Sequence, residues 1–255
     1  MLNFQKYRFA PLALAVTGVV AGCSLSTTPT PDGRKGNLGK GVFNYRCLDG
    51  TNDDVACRGL AGGTSPTKFP DSVAVGGRFR VTFTPSSDTQ SAGNPTLRGV
   101  STEYLASDSN GEFHALKAGY VGIVAKSTVN SDVIDYTLMR IVDVKSLQLT
   151  LPADPFPDAG TGDAGDASAV PDAGASAFVL VVGGTQTITA SPAGPRNEKL
   201  AGTLDYAWTT SDPSVLSLQG TNPTSSMAIL GKAAGRATLK VTSDNMEASY
   251  EVAVR

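Results

Sequence analysis

Residues 73–83 read VAVGGRFRVTF, and residues 180–190 read LVVGGTQTITA. In both stretches a Val-Gly-Gly turn leads into a run in which apolar and polar residues alternate, so that Val81 matches Ile188. Such alternation is typical of a β-strand that buries one face. Because matching segments of this kind mark repeated structural units, the two stretches predict a pair of similar β modules in tandem.

The repeat continues along the chain in the same order. KAGYVGIVA at 117–125 matches AAGRATLKV at 233–241, and YTL at 136–138 matches YEV at 250–252. Alternate residues are apolar in these segments too, which predicts further half-buried strands. The 28 glycines and 15 prolines favour short strands joined by tight turns over long helices. We therefore predict an all-β fold.

One aromatic ring occupies a similar place in each module. The Ser-Asp dipeptide at 107–108 matches the one at 211–212, and Tyr104 and Trp208 each stand four residues before the aspartate. Large rings bury much apolar surface. We expect Tyr104 and Trp208 to be core residues of their modules.

The order of these motifs resembles the group 2 bacterial immunoglobulin-like domain of intimin- and invasin-type surface proteins. The motifs that carry the resemblance are the Val-Gly-Gly strand, WTTSDPSV at 208–215, and an Ala-Gly turn that leads into ATLKV at 237–241. The first module is a weaker copy, because Tyr104 replaces the tryptophan. The resemblance implies two tandem antiparallel β-sandwiches of roughly 100 residues each and a role in adhesion or presentation.

The module boundaries follow from two candidate opening strands, Val42–Arg46 and Val144–Leu151. They predict a first module over 41–143 and a second over 144–255. The acidic run 152–177 is rich in Asp-Ala-Gly and has almost no residue able to fill a core. It is either an insertion within the second module or a linker between the two.

The N-terminus reads as an export signal. Lys6 and Arg8 precede an apolar stretch over 9–20, which is signal-peptide length, and VAGC at 20–23 resembles the bacterial lipobox. The resemblance implies cleavage of residues 1–22 and acylation of Cys23, with palmitate among the expected fatty acids. Membrane lipid is then the predicted partner. Ser24 stands where the family places Asp as an inner-membrane retention signal, which implies sorting to the outer membrane.

Residues 23–40 have many turn formers and no apolar periodicity, which predicts a flexible tether. The fold class is therefore two sandwiches after a signal peptide and a tether.

Cys47 and Cys57 remain as an even pair in an exported protein, which favours a disulfide. The loop between them contains Asp49, Asp53 and Asp54, oxygen ligands of the type that calcium prefers. Their spacing matches no EF-hand loop. We regard them as weak metal candidates and predict no metal site.

Charge and motif content argue against most other functions. With 21 basic and 23 acidic residues, the formal net charge is −2, so no basic field attracts nucleic acid. His114 is the one histidine and aligns with Leu230 within a strand, so we predict a structural residue and no catalytic site. Arg78 and Arg80 alternate with apolar residues and should share an outward face at a strand edge.

We therefore predict a non-enzymatic cell-envelope lipoprotein without cofactors, acting in adhesion, recognition or spacing. Its protein or glycan ligand stays unidentified at this level. A periplasm-facing structural subunit of an envelope assembly is the first alternative, and a carbohydrate-active enzyme is the second.

Overall fold

The computed structural model describes residues in six ranges: 33–48, 53–58, 68–92, 94–108, 111–151 and 178–255. The described chain consists of β-strands, turns and two short 3-10 helices, Val55–Cys57 and Ser87–Ala92. None of the helices in these ranges could cross a membrane. The predicted signal peptide with Cys23 and the acidic run 152–177 lie outside the described residues.

The first module consists of two sheets with the strand orders β1-β2-β4-β7-β6 and β3-β9-β8-β5. Its strands are β1 (Arg34–Lys35), β2 (Gly41–Arg46), β3 (Val73–Ala74), β4 (Arg78–Pro85), β5 (Thr96–Gly99), β6 (Leu105–Ser107), β7 (Glu112–Ala115), β8 (Gly119–Lys126) and β9 (Val133–Val142).

The second module also consists of two sheets, with the orders β10-β12-β15-β14 and β11-β17-β16-β13. Its strands are β10 (Ser146–Thr150), β11 (Phe178–Leu180), β12 (Thr185–Ala193), β13 (Ala207–Thr210), β14 (Leu216–Leu218), β15 (Ser226–Gly231), β16 (Gly235–Ser243) and β17 (Met246–Val254).

The two modules share one strand order. Strands β2, β4, β7 and β6 correspond to β10, β12, β15 and β14, and the facing sheets correspond in the same way. The short strands β3 and β11 pair in parallel with the last strand of their module, and the other pairings are antiparallel. The predicted fold class of two tandem immunoglobulin-like sandwiches is confirmed.

The Val-Gly-Gly motif carries the chain from one sheet to the facing sheet, since β3 and β4 belong to different sheets, as do β11 and β12. Its first glycine has a positive φ in both modules, +82° at Gly76 and +80° at Gly183. Glycine adopts this left-handed region without the steric penalty of a side chain. The motif that reveals the repeat is therefore the turn that closes each sandwich.

Alternation along the strands fills the two cores as predicted. In β8 and β16 the buried residues are Val121, Ile123, Ala125, Ala237, Leu239 and Val241. The first core is rich in aromatic rings, with Phe79 stacked between Tyr45 and Phe113 at centroid distances of 5.3 and 5.7 Å. The second core is mostly aliphatic around Trp208.

Strand pairing corrects the predicted match between Tyr104 and Trp208. Trp208 lies in β13 opposite Val241, and the equivalent residue in the first module is Leu97, which lies in β5 opposite Ala125. Trp208 is buried, and its Nε1–H donates to the Thr224 carbonyl at 2.8 Å. A ring and a hydrogen bond of this kind have no counterpart at Leu97.

Tyr104 instead corresponds to Val215. Each covers the glycine that begins the next long strand: a Cβ on Gly119 would lie 2.8 Å from the Tyr104 ring, and one on Gly235 would lie 2.9 Å from Val215. Tyr104 is half-buried at the rim of the core. The structural counterpart of residues 211–212 is therefore 100–101, because each pair directly follows its equivalent strand, β13 or β5.

The predicted flexible tether does not extend to residue 40. Arg34 and Lys35 form β1 and pair with Phe43 and Val42. The turn that follows is held by Asp135, whose carboxylate accepts from the backbone N–H groups of Leu38 at 2.8 Å and Lys40 at 2.7 Å. A buried carboxylate on a later strand provides these bonds, so the local sequence gives no sign of them.

The acidic run 152–177 connects two strands of the same module. β10 pairs with β12, and β11 pairs with β17, so both flanking strands belong to the second module. Of the two interpretations, insertion within the second module agrees with these pairings.

Candidate functional site: the module junction and an exposed sheet face

The module junction is built around residues 200–205, a segment in the connection between β12 and β13 that we call the junction segment. It runs along the sheet-switching turn of the first module. Ala74 N–H donates to the Ala201 carbonyl at 2.9 Å, while Arg78 and Thr203 exchange two backbone hydrogen bonds at 2.9 and 2.8 Å. The second module therefore adds strand-like backbone to the first.

Close backbone contact at the junction depends on two glycines. Gly202 has a φ of +101°, and a Cβ placed on it would lie 3.0 Å from the Gly77 Cα. The apolar residues next to these glycines cross between the cores. Ala74 and Val142 of the first module pack in the second core, and Ala201 packs in the first.

The disulfide loop, residues 47–57, is the second part of the junction. The structure contains the predicted disulfide between Cys47 and Cys57, and both cysteines are buried. The loop and the residue after it reach into the second module. Asp53 Oδ1 accepts from the Ser225 N–H at 2.6 Å, and the Arg58 guanidinium donates to Ser191 Oγ at 2.5 Å and to the Ala190 carbonyl.

A buried carboxylate lies at the centre of this network. Asp54 Oδ2 accepts from the Tyr45 hydroxyl at 2.5 Å, and Oδ1 accepts from the Ala56 N–H at 2.8 Å. Burial raises the pKa of Asp54, although hydrogen bonds from Tyr45, Ala56 and Gly202 and the charge of Arg58 oppose that shift. Asp54 therefore joins both modules, because Gly202 belongs to the junction segment.

Burial disfavours the charged form of the neighbouring groups as well. Burial is the main cause that raises the pKa of Tyr45 above its usual value, and the nearby Asp54 charge adds to it. The pKa of Tyr206 is also raised, chiefly by burial. Desolvation lowers the pKa of Arg58, and interaction with Tyr206, Asp54 and Asp53 partly offsets this decrease. The cluster combines one cation with two aspartates and two phenols in a largely buried interface.

The structure places the weak metal candidates in different roles. Asp53 and Asp54 accept hydrogen bonds at the junction, and Asp49 lies outside the described residues. Within the described ranges, no three His, Cys, Asp or Glu side chains converge in a way that could hold a metal ion. The carboxylates of Asp53 and Asp54 therefore serve the module junction.

The remaining candidate residues lie on the sheet of β4 and β7. His114 is exposed on β7, in register with Arg78 on β4. Arg78 and Arg80 point outward as predicted, but β4 lies between β2 and β7 and is not an edge strand. Arg78 donates to Asp205 at 2.7 Å, so this arginine belongs to the rim of the junction.

The outer face of β5, β8 and β9 exposes several large apolar side chains. Tyr120, Val100 and Leu138 have exposed fractions of 73, 66 and 49 %. We call this surface the basic-apolar face. It comprises the outward residues Arg98, Val100, Tyr120, Val124, Lys126, Tyr136, Leu138 and Arg140. On this face Val100 lies over Gly122, where a Cβ would approach the valine side chain to 2.8 Å.

The equivalent face of the second module has a different chemistry. Tyr120 corresponds to Arg236, Val124 to Lys240 and Leu138 to Glu251, as the strand register shows. The predicted match of 136–138 with 250–252 is therefore wrong by one residue, because 136–138 aligns with 249–251. Cross-strand ion pairs cover this face, since Arg236 pairs with Glu251 and Lys240 lies 2.6 Å from Glu247. A charged, paired face is the ordinary solvated surface of a sandwich. The first module departs from it.

The N-terminal strand lies beside the basic-apolar face. The Arg34 guanidinium donates to the Leu138 carbonyl at 2.7 Å, and Asn37 N–H donates to the Tyr136 carbonyl at 2.8 Å. Arg34 also lies 4.5 Å above the Phe69 ring. The chain therefore enters the first module at the margin of this face.

Sequence reasoning missed the junction segment and Arg58. One signal was present: LAGTL at 200–204 is an apolar run within a connection, where exposed residues are usually polar. Arg58 had no such signal, because its partners lie more than one hundred residues away along the chain.

Comparisons with known proteins add little to these observations. No family model and no curated protein matches the chain. Among solved structures, the S-layer protein rSbsC(31-844) aligns at 11 % identity over 72 % of this chain and 26 % of that chain, with a TM-score of 0.31. The Yersinia pseudotuberculosis adhesin InvE aligns at 9 % identity over 73 % of this chain and 57 % of that chain, with a TM-score of 0.32.

The bacterial integrin-binding protein invasin aligns at 10 % identity over 73 % of this chain and 38 % of its own, again with a TM-score of 0.32. The chain thus spans well under two thirds of these three structures. Similarity at this level supports no inference about function, and membership of the predicted family stays a prediction. By its own strand order, the chain is a tandem of two immunoglobulin-like sandwiches.

Proposed function

We propose that this chain is a non-enzymatic envelope lipoprotein whose two modules form one rigid unit on a lipid anchor, used for recognition or spacing at the cell surface. The module junction is the observation that carries the proposal. Domains of one chain usually move relative to each other unless the interface between them is extensive. Here backbone hydrogen bonds, shared core residues and the disulfide loop all join the two modules.

A rigid pair suits presentation better than catalysis. Fixing the orientation of the second module removes an entropic cost that a flexible tandem would incur when it binds a partner. Asp53 and Arg58 of the junction bond the second module, and His114 lies on an open sheet surface. A rigid spacer needs only such contacts and exposed loops at its far end.

Acylation of Cys23 is the part of the proposal that can be tested first. Cells that express the chain are labelled with an alkyne analogue of palmitate, and Cys23→Ser serves as the variant. We expect label on the wild-type protein and in the membrane fraction, and neither for the variant. Equal labelling of both proteins, or a soluble wild-type protein, would contradict the lipoprotein assignment.

A second candidate function, docking into an envelope assembly by strand addition, is favoured by one feature of β4. In the described ranges, β7 pairs with Arg78, Phe79 and Arg80 and Gly111 accepts from the Val81 N–H, whereas β15 pairs with five residues of β12, Thr185–Thr189. Beyond Arg80, β4 borders a cleft of about 750 Å³ that β5 closes on its far side. An extended segment of a partner could pair there.

Location separates the two candidates. Intact cells are treated with protease, and an antibody to the second module reports cleavage. Cleavage supports recognition or spacing outside the cell. Protection until the outer membrane is permeabilised supports the periplasm-facing structural subunit and contradicts surface presentation.

A further inference from the structure

We propose that the basic-apolar face of the first module rests on the anionic surface of the membrane that holds the anchor. This inference rests on the proposed lipid anchor at Cys23. It assigns the first module to the membrane surface and leaves the second module to project from it.

Chain length keeps the first module close to the bilayer. Gly33, the first described residue, lies ten positions after Cys23 in the chain. An extended chain of that length spans at most about 36 Å. Because Arg34 and Asn37 contact the backbone of β9, the tether joins the module at the margin of the basic-apolar face. The point of attachment is therefore next to this face.

The charge of the face fits an anionic surface. The outward positions of β5, β8 and β9 carry Arg98, Lys126 and Arg140, and these three described strands have no outward carboxylate. Arg140 lies 3.8 Å from Glu198, so Arg98 and Lys126 supply most of the uncompensated charge. Basic residues near anionic headgroups are attracted within about a Debye length.

The apolar part of the face fits the headgroup region. Tyrosine rings are enriched at membrane–water interfaces, where an apolar ring and a polar hydroxyl are both accommodated. Tyr120 and Tyr136 lie on neighbouring strands, with Leu138 and Val124 beside them. A face of this composition matches an anionic, partly apolar partner. It disfavours pairing with the same face of a second copy, because that contact would oppose like charges.

The test uses the full acylated protein, reconstituted in vesicles, with a fluorophore attached at one introduced cysteine. Tyr120→Cys places the probe on the basic-apolar face, and Arg236→Cys places it at the equivalent position of the second module. Both native cysteines described in the fold are buried and joined, so they do not compete for the label. Lipids with a quencher on the acyl chain report contact.

In phosphatidylcholine vesicles with 30 % phosphatidylglycerol, about threefold stronger quenching is expected at position 120 than at position 236. The double variant Arg98→Glu/Lys126→Glu should lower the equilibrium constant for membrane contact at position 120 by about tenfold or more. The reason is that each basic residue contributes roughly a fivefold factor to that constant. The matched variant Arg236→Glu/Lys240→Glu should leave position 120 unchanged. Circular dichroism confirms that each variant is folded.

Equal quenching at positions 120 and 236 in anionic vesicles would overturn the inference. The inference would also be overturned if soluble dextran sulfate, but not vesicles, shielded the probe at position 120 from solvent. That result would assign the face to an anionic glycan. Flotation of the same samples separates this failure from failure of the anchor, because an acylated protein floats with vesicles whether or not its face touches them. A wild-type protein that does not float would instead contradict the lipoprotein proposal.

Discussion

The two modules have the same strand order but different faces and different loops. In the second module the outer face is covered by ion pairs, and Trp208 fills the aliphatic core. In the first module the equivalent face is apolar and basic, Leu97 takes the place of Trp208, and an aromatic stack fills the core. The comparison shows that strand order is set by turns and alternation, while outward positions are free to diverge toward different partners.

The loops diverge in a complementary way. The first module contributes the disulfide loop to the junction, and the second contributes the junction segment. Among the residues that the structure describes, neither element has a counterpart with the same role in the other module. The junction therefore depends on the differences between two otherwise similar sandwiches, and the following variants test that dependence.

Loss of the disulfide should have the largest effect. Cys47→Ser/Cys57→Ser removes a short cross-link that stabilises by about 2.5–3 kcal/mol on the chain-entropy model. It also loosens Asp53 and Arg58, which bind the second module. Urea unfolding should change from one transition to two, with the first module unfolding at lower urea. A single transition at an unchanged midpoint would show that the loop does not hold the junction.

Two glycine variants separate backbone strain at positive φ from the same strain combined with a steric clash between the modules. Gly183→Ala places a side chain at positive φ where no atom lies within 4 Å, so a loss of about 1–2 kcal/mol is expected. Gly202→Ala adds a clash with Gly77, so we expect about 2–4 kcal/mol and a looser junction. Urea titration measures both losses. Equal losses would contradict the close packing of the two modules.

The pH dependence should have opposite signs at two aspartates. Burial raises the pKa of Asp54, so its contribution to stability is complete below the usual carboxyl pKa and is lost as pH rises through the raised value. Hydrogen bonds from Ser214 lower the pKa of Asp212 in the second module, so its contribution is lost as pH falls through the lowered value.

Asp54→Asn should therefore gain stability relative to wild type as pH rises from 4 toward 7. Asp212→Asn should approach the wild type as pH falls toward 3. Urea midpoints across this range measure both trends. Parallel trends for the two variants would contradict the different environments assigned to the two carboxylates.

Exchanging one outward residue should have the smallest effect on stability. Leu138→Glu gives the first module the residue that the second has at this position, Glu251. The side chain is about half exposed, so a change below about 0.5 kcal/mol is expected. Binding to anionic vesicles should weaken nevertheless. A large loss of stability would show that Leu138 is a structural residue and not part of a free face.

Local patterns in the sequence predicted much of the fold. Val-Gly-Gly gave the sheet-switching turn, the alternation around Ile123 and Leu239 gave the buried strand faces, and the even cysteine pair gave the disulfide. Each depends on residues close together in the chain. The match of Tyr104 to Trp208 was wrong because it relied on a dipeptide, and loop lengths had changed on both sides of it.

The junction could not be predicted in the same way. Its residues acquire their roles from partners in the other module, as Asp53 does from Ser225 and Arg58 from Ser191. Asp53 and Asp54 in a loop look alike whether they bind calcium, water or a backbone N–H group. Only the packing of the two modules decides between these roles.

A distance measured between the two modules reports directly whether the two-module unit is rigid. Spin labels at the exposed positions Thr102 and Glu247 are introduced by Thr102→Cys and Glu247→Cys, and pulsed dipolar spectroscopy records the distance distribution. One narrow distance distribution is expected for the otherwise unaltered protein. This distribution should broaden when Gly202→Ala is added. A broad distribution without Gly202→Ala would contradict a locked junction and leave two independent modules on one chain.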